Sequence, residues 1–179
     1  MISIKNFNLL VSTSRFNENN AKAELWFSLL ICGDKYPIIT NLEYSGIISG
    51  LTILNPKKAI KKIKEILEQD PHFFQYILKI IPIDYICETN TRSIVEIIEN
   101  YHHEFIKPED KFKIKLIRRK NEMINRENFI SKVAEKINNK VSLDHPDITI
   151  RFEVLGNICG ISFLRPNDIV KIINPLCQN

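Results

Sequence analysis

Cationic side chains are the groups in this chain best spaced to do chemistry. Arg118, Arg119 and Lys120 stand together, Lys132, Lys136 and Lys140 recur at every fourth residue, and Lys57, Lys58, Lys61, Lys62 and Lys64 form a further group. A guanidinium presents a planar fork of donors to phosphate oxygens and an ammonium presents a mobile point charge, so such clusters suit a polyanion. Distribution matters more than total here. The whole chain carries only +4, yet residues 107–140 hold eleven Lys/Arg against five Asp/Glu, whereas residues 1–90 hold ten against nine. The basic segment is therefore the expected polyanion-facing surface.

Other chemistries fit the residue pattern poorly. Asp144, His145 and Asp147 put two carboxylates beside an imidazole, as a metal or acid–base site would, but Asx residues flanking Pro146 more simply set a turn. His102 and His103 would leave a helix about 100° apart and so lack the i, i+4 spacing of a zinc pair. Cys32, Cys87, Cys159 and Cys177 form no CxxC pair, which suits buried, reduced thiols in a cytosolic protein. The glycines, at 33, 46, 50, 156 and 160, build neither GxGxxG nor a P-loop. No catalytic residue, metal site or cofactor is expected. A membrane span of about 18 apolar residues is missing too, since residues 76–85 are broken by Lys79, Pro82 and Asp84. Residues 1–7 lack the charged start and apolar core of a secretion signal, so a cytoplasmic protein is expected.

The elements that would position these residues can be read from periodicity. Residues 7–13 and 37–43 are β-rich runs, 46–54 is another after a turn near Gly46, and 74–87 supplies a fourth strand that Pro82 interrupts or ends. Between them, residues 17–31 place Leu25, Trp26, Leu29 and Leu30 on one helical face, with Gly33 to end the helix. Asn55 and Pro56 open a second helix with Ala59, Ile60, Ile63, Ile66 and Leu67 as its apolar stripe. This βαββαβ order predicts a ferredoxin-like sandwich over residues 1–89. From residue 90 the pattern restarts as αβαββ. Residues 91–105 read as a helix. Residues 111–119 alternate, with Phe112, Ile114 and Leu116 on one face and Lys111, Lys113 and Lys115 on the other. Residues 126–139 form a second helix carrying the lysines at 132 and 136, with Lys140 one residue beyond, at about 6 Å intervals by the helix rise. Residues 148–155 and 158–164 close the unit as strands. The expected class is α+β, with domains at 1–89 and 90–166 and a tail or short helix at 167–179.

The second half resembles the THUMP domain, and the whole chain is similar to the stand-alone THUMP proteins required for N4-acetylcytidine formation in tRNA. The resemblance lies in residues 112–120 (FKIKLIRRK), 139–147 (NKVSLDHPD), 150–154 (IRFEV) and 160–163 (GISF). Its most specific part is the run of residues 140–147, where a basic strand and a helix are followed by a VxLxxPD turn into a strand. Residues 7–15 (FNLLVSTSR) and 80–84 (IIPID) also look like the stand-alone group, so the likeness spans nearly the full length.

What the resemblance implies is RNA binding without catalysis. In the family the ferredoxin-like and THUMP domains grip the acceptor stem and 3′ end of tRNA, while attached domains or a partner modify it. The expected function is a tRNA-binding adaptor serving a separate RNA acetyltransferase. Arg118, Arg119, Lys120, Lys132, Lys136 and Lys140 are the expected RNA contacts, with Lys57, Lys58 and Lys61 as secondary ones. A-form stems offer phosphates and 2′-hydroxyls rather than major-groove base edges, so shape should outweigh base identity. The competing expectation is a protein-interaction module whose basic face meets an acidic protein.

Overall fold

A computed structural model describes residues 6–122 and 124–172. In chain order the first elements are β1 (Leu9–Thr13), α1 (Glu18–Ile31), β2 (Ile38–Asn41), β3 (Ile47–Leu51), α2 (Pro56–Gln69) and β4 (Ile77–Pro82). Then come β5 (Tyr85–Glu88), α3 (Thr91–Phe105), β6 (Phe112–Arg119), α4 (Arg126–Ala134), β7 (Ile148–Leu155), β8 (Ile158–Leu164) and β9 (Val170–Lys171). They divide into two units, 6–83 with 167–172, and 84–166.

The first unit has a five-stranded sheet in the order β2-β3-β1-β4-β9, every neighbouring pair antiparallel. Its first four strands and two helices make the ferredoxin-like sandwich. α2 starts as its residues dictate: the Asn55 side chain accepts the Lys58 N–H at 3.1 Å and Pro56 occupies the first turn. Ala59, Ile60 and Ile63 are buried in the core with Ile66 and Leu67 packed against it. α1 buries Ala21, Leu25, Ser28 and Leu29 and ends where Gly33 turns to φ +96°. The buried stripe is narrower than expected, since Trp26 is 48% exposed and Leu30 only half-buried.

The second unit has a four-stranded sheet in the order β5-β8-β7-β6. β6 and β7 run parallel, joined through α4, and the other neighbours are antiparallel. Alternation sends Ile150, Phe152 and Val154 of β7 and Cys159, Ile161 and Phe163 of β8 into one core with Phe112 and Leu116 of β6, Ile94 and Ile98 of α3, and Phe129 and Val133 of α4. Among the described residues β6 is an end member of its sheet, and its outer edge carries only the isolated bridge of Phe112 to Val141.

Three expectations change. Residues 74–87 form two strands in two sheets. Pro82 has no N–H to continue the ladder; the Ile83 N–H then donates to the Asn8 carbonyl and the Asp84 N–H to that of Ile161, so adjacent residues bond into different sheets. The junction therefore falls at 83/84, where the sequence pattern put it at 89/90, and β5 precedes the αβαββ pattern. α4 stops at Ala134 rather than Asn139: the Lys136 and Ile137 N–H groups reach back three residues, to Val133 and Ala134, a tightening typical of helix ends. Residues 167–172 hold no helix but contribute β9, with Val170 opposite Ile80 and buried. Residues 173–179, Cys177 among them, lie outside the described residues.

Candidate nucleic-acid interface

β6 is the element that brings cations together. Phe112 and Leu116 are buried and Ile114 packs against the same core, so period two turns Lys113, Lys115, Ile117 and Arg119 to the opposite face. Lys115 is exposed and Lys113 half-buried, with its ammonium 3.5 Å from the Leu143 carbonyl. Same-face neighbours on a strand stand about 6.6 Å apart, close to the separation of adjacent phosphates along one strand of a nucleic acid. The loop before β7 adds another cation at the start of β6. There the Phe112 N–H donates to the Lys140 carbonyl at 3.0 Å and the Ser142 N–H to the Phe112 carbonyl at 2.9 Å, which sets Lys140 beside Lys111 and Lys113.

The expected group at 118–120 is not presented on one face of the strand. Arg118 leaves the strand toward α4, where its guanidinium donates to the Ile124 carbonyl, whereas Arg119 leaves on the other face. Arg119 is half-buried and bonds Glu153 at 2.8 Å; Arg151 holds the other oxygen of the same carboxylate, and Glu153 itself is 1% exposed. Its charge is thus committed to the protein. Lys120 is exposed and takes φ +50° at the turn out of β6.

Nor do the lysines at 132, 136 and 140 form a helical row. Lys132 lies in the last turn of α4, Lys136 lies beyond it and pairs with Glu99 at 3.2 Å, and Lys140 belongs to the loop beside β6. Asn139 explains the departure. Its amide donates to the carbonyls of Lys107, Pro108 and Asp110, tying the chain away from the helical path.

On α2, Lys57, Lys61 and Lys64 share one groove of about 630 Å³ with Glu65, Glu68, Asn167 and Asp168. Three carboxylates balance three ammoniums there, and the Lys64 ammonium donates to the Asn167 carbonyl at 2.6 Å. Lys58 lies outside that groove and is exposed. Local charge at this second candidate is near zero, a weak lure for a polyanion.

The carboxylates near His145 serve the loop. Asp147 accepts the Lys111 N–H at 2.8 Å and its own N–H donates to the Lys111 carbonyl, pinning the turn to the start of β6. Asp110, buried one residue earlier, receives a two-pronged guanidinium from Arg165 at 2.7 and 3.2 Å. That bond, helped by the Lys107 N–H, holds the Asp110 carboxyl below its ordinary range. His102 bonds the Ile98 carbonyl through Nδ1 at 2.7 Å. Among the described residues no group of three or more His, Cys, Asp or Glu is placed to hold a metal. Lys113 and Lys115 are the residues that the cluster-based choice passed over. Their signal was the strict alternation of residues 111–116, which already separated a cationic face from an apolar one.

Comparison with known proteins names the unit that carries this edge. Residues 88–164 match the family model of the THUMP domain. The chain carries a THUMP domain. Outside the THUMP domain the likeness is one of fold. The crystal structure of PH1313 from Pyrococcus horikoshii matches with a TM-score of 0.68 at 19% identity, covering 93% of this chain and 55% of that one. TrmN from Thermus thermophilus matches at 0.56 and 12%, covering 89% and 46%. A 4-thiouridine synthetase, crystallised with RNA and ATP, matches at 0.54 and 12%, covering 93% and 42%. This chain thus spans about half the length of the solved structures it matches. No curated protein matches it.

Proposed function

We propose that this chain binds tRNA through the basic edge of its THUMP domain and serves as an adaptor for a separate modifying enzyme. The carrying observation is the edge strand β6, which turns Lys113 and Lys115 to one face and has Lys111 and Lys140 at its start. Such a row reads phosphates rather than bases, which suits an A-form stem. The RNA complex of the similarly folded 4-thiouridine synthetase supports RNA as the polyanion. Resemblance to the stand-alone THUMP proteins supports the acceptor stem and 3′ end as the region gripped, N4-acetylcytidine formation as the modification, and a partner acetyltransferase as the catalyst.

Reversing both charges, with Lys113→Glu and Lys115→Glu, removes two phosphate contacts and adds repulsion. We expect tRNA affinity to fall by about tenfold or more at moderate salt. Binding of purified protein to a tRNA transcript measures it. Unchanged affinity in a folded double variant removes β6 from the interface. If the unaltered protein ignores tRNA yet binds an acidic protein, the protein-interaction reading replaces this one, and turnover by the chain alone would end the adaptor role.

A further inference from the structure

Phe16 stands where a phenylalanine is hardest to accommodate. It occupies the third position of a turn closed by the Asn17 N–H on the Ser14 carbonyl at 3.2 Å, and its φ is +69°. That left-handed region is ordinarily taken by Gly or Asn, and it costs a residue with a bulky side chain conformational energy. The ring recovers nothing by packing, since Phe16 is 94% exposed.

Neighbouring structure imposes the conformation. Glu18, in the first turn of α1, accepts the Gly46 N–H at 2.6 Å. Its carboxyl is held below the ordinary range by that bond first, then by the N–H groups of Glu18 and Phe16 and the Ser45 hydroxyl. Gly46 in turn takes φ +75°, and a Cβ there would meet the Thr13 carbonyl oxygen at 2.8 Å. The β1–α1 turn and the β2–β3 hairpin are thus latched together, with the ring held outward. Strain that its surroundings over-determine, at a fully exposed side chain, is characteristic of a contact site.

Resting on the RNA-binding reading above, we propose that Phe16 is a stacking platform for an unpaired base of the bound RNA, with Arg15 beside it for the adjoining phosphate. A lone flat ring suits that occupant. Ser14 and Arg15 are exposed and Asn17 is half-exposed, so polar and cationic groups flank the ring; a protein-docking surface would need several contiguous apolar side chains. Every base offers a π-face, so the platform would hold an unpaired nucleotide without selecting its identity. Glu18 is then a positioning residue.

The test compares full-length Phe16→Asn and Phe16→Tyr variants with the unaltered protein. Asn accepts the left-handed backbone and removes the ring, whereas Tyr keeps the ring. With a tRNA transcript, Phe16→Asn should bind about tenfold more weakly and Phe16→Tyr as well as the parent. With a blunt RNA duplex all three should bind alike. The unfolding midpoint of Phe16→Asn should equal or exceed the parent's, the reverse of what a structural role would give. Full tRNA affinity in Phe16→Asn, alongside its loss in the Lys113/Lys115 reversal, overturns the platform and leaves the proposed function standing. So does an equal loss toward the blunt duplex, or a loss of self-association instead of RNA binding. If the unaltered protein binds neither RNA, the function itself fails and the platform with it.

Discussion

Two adjacent arginines on a strand cannot share a task, because successive side chains leave opposite faces. Arg118 and Arg119 therefore part company, one toward the Ile124 carbonyl and the other toward Glu153. Residue types at 118–120 announce positive charge, but not that a carboxylate 34 positions further along β7 absorbs part of it. Glu153 is nearly inaccessible and Arg151 alone would still hold one of its oxygens, so Arg119→Ala should cost about 1–2 kcal/mol of THUMP-domain stability. Partial exposure of the Arg119 guanidinium keeps that figure below the cost of breaking a fully buried pair. Urea denaturation measures it, and tRNA affinity should change by less than about threefold. A tenfold affinity loss without destabilisation would return Arg119 to the contact surface.

Elements were legible wherever periodicity and caps agreed. α2 is the clearest case, with its Asn-Pro start and apolar stripe, and β6 is another, since its alternation gave the strand, its buried face and its cationic face together. The misses occur where tertiary bonds decide. Nothing local in residues 74–87 says that the strand changes sheets after Pro82, because that depends on the carbonyls of Asn8 and Ile161, far away in sequence. Asn139 likewise ends a helical pattern through three distant carbonyls. β9 shows the same limit: a two-residue strand has no periodicity to detect, yet Val170 is 1% exposed within the ferredoxin-like core. Val170→Ala should destabilise that unit by about 2 kcal/mol through lost burial and a cavity. Hydrogen exchange should then accelerate in residues 77–82 while β7 and β8 of the THUMP domain keep their protection. Faster exchange confined to β7 and β8 would assign the C-terminal strand to the wrong unit.

For the whole molecule, a modest net charge hides a local surplus, and binding should register the surplus. Counterions condensed on RNA are released as lysines replace them, so the logarithm of affinity falls linearly with the logarithm of salt, with a slope near −0.9 per phosphate contact on a duplex. Lys111, Lys113, Lys115 and Lys140, with Arg15 beside Phe16, would supply about five contacts, hence a slope of about −4.5 and roughly a five-hundredfold loss between 50 and 200 mM salt. The Lys113/Lys115 reversal should flatten that slope by about two. Phe16→Asn should shift the whole line to weaker binding at unchanged slope, because stacking releases no counterions. The two variants thus separate the electrostatic grip from base contact in one set of titrations. A slope near zero with affinity retained would mean that tRNA is held by surfaces other than this basic edge, whereas parallel shifts in both variants would make the lysines contributors to fold rather than to phosphate binding.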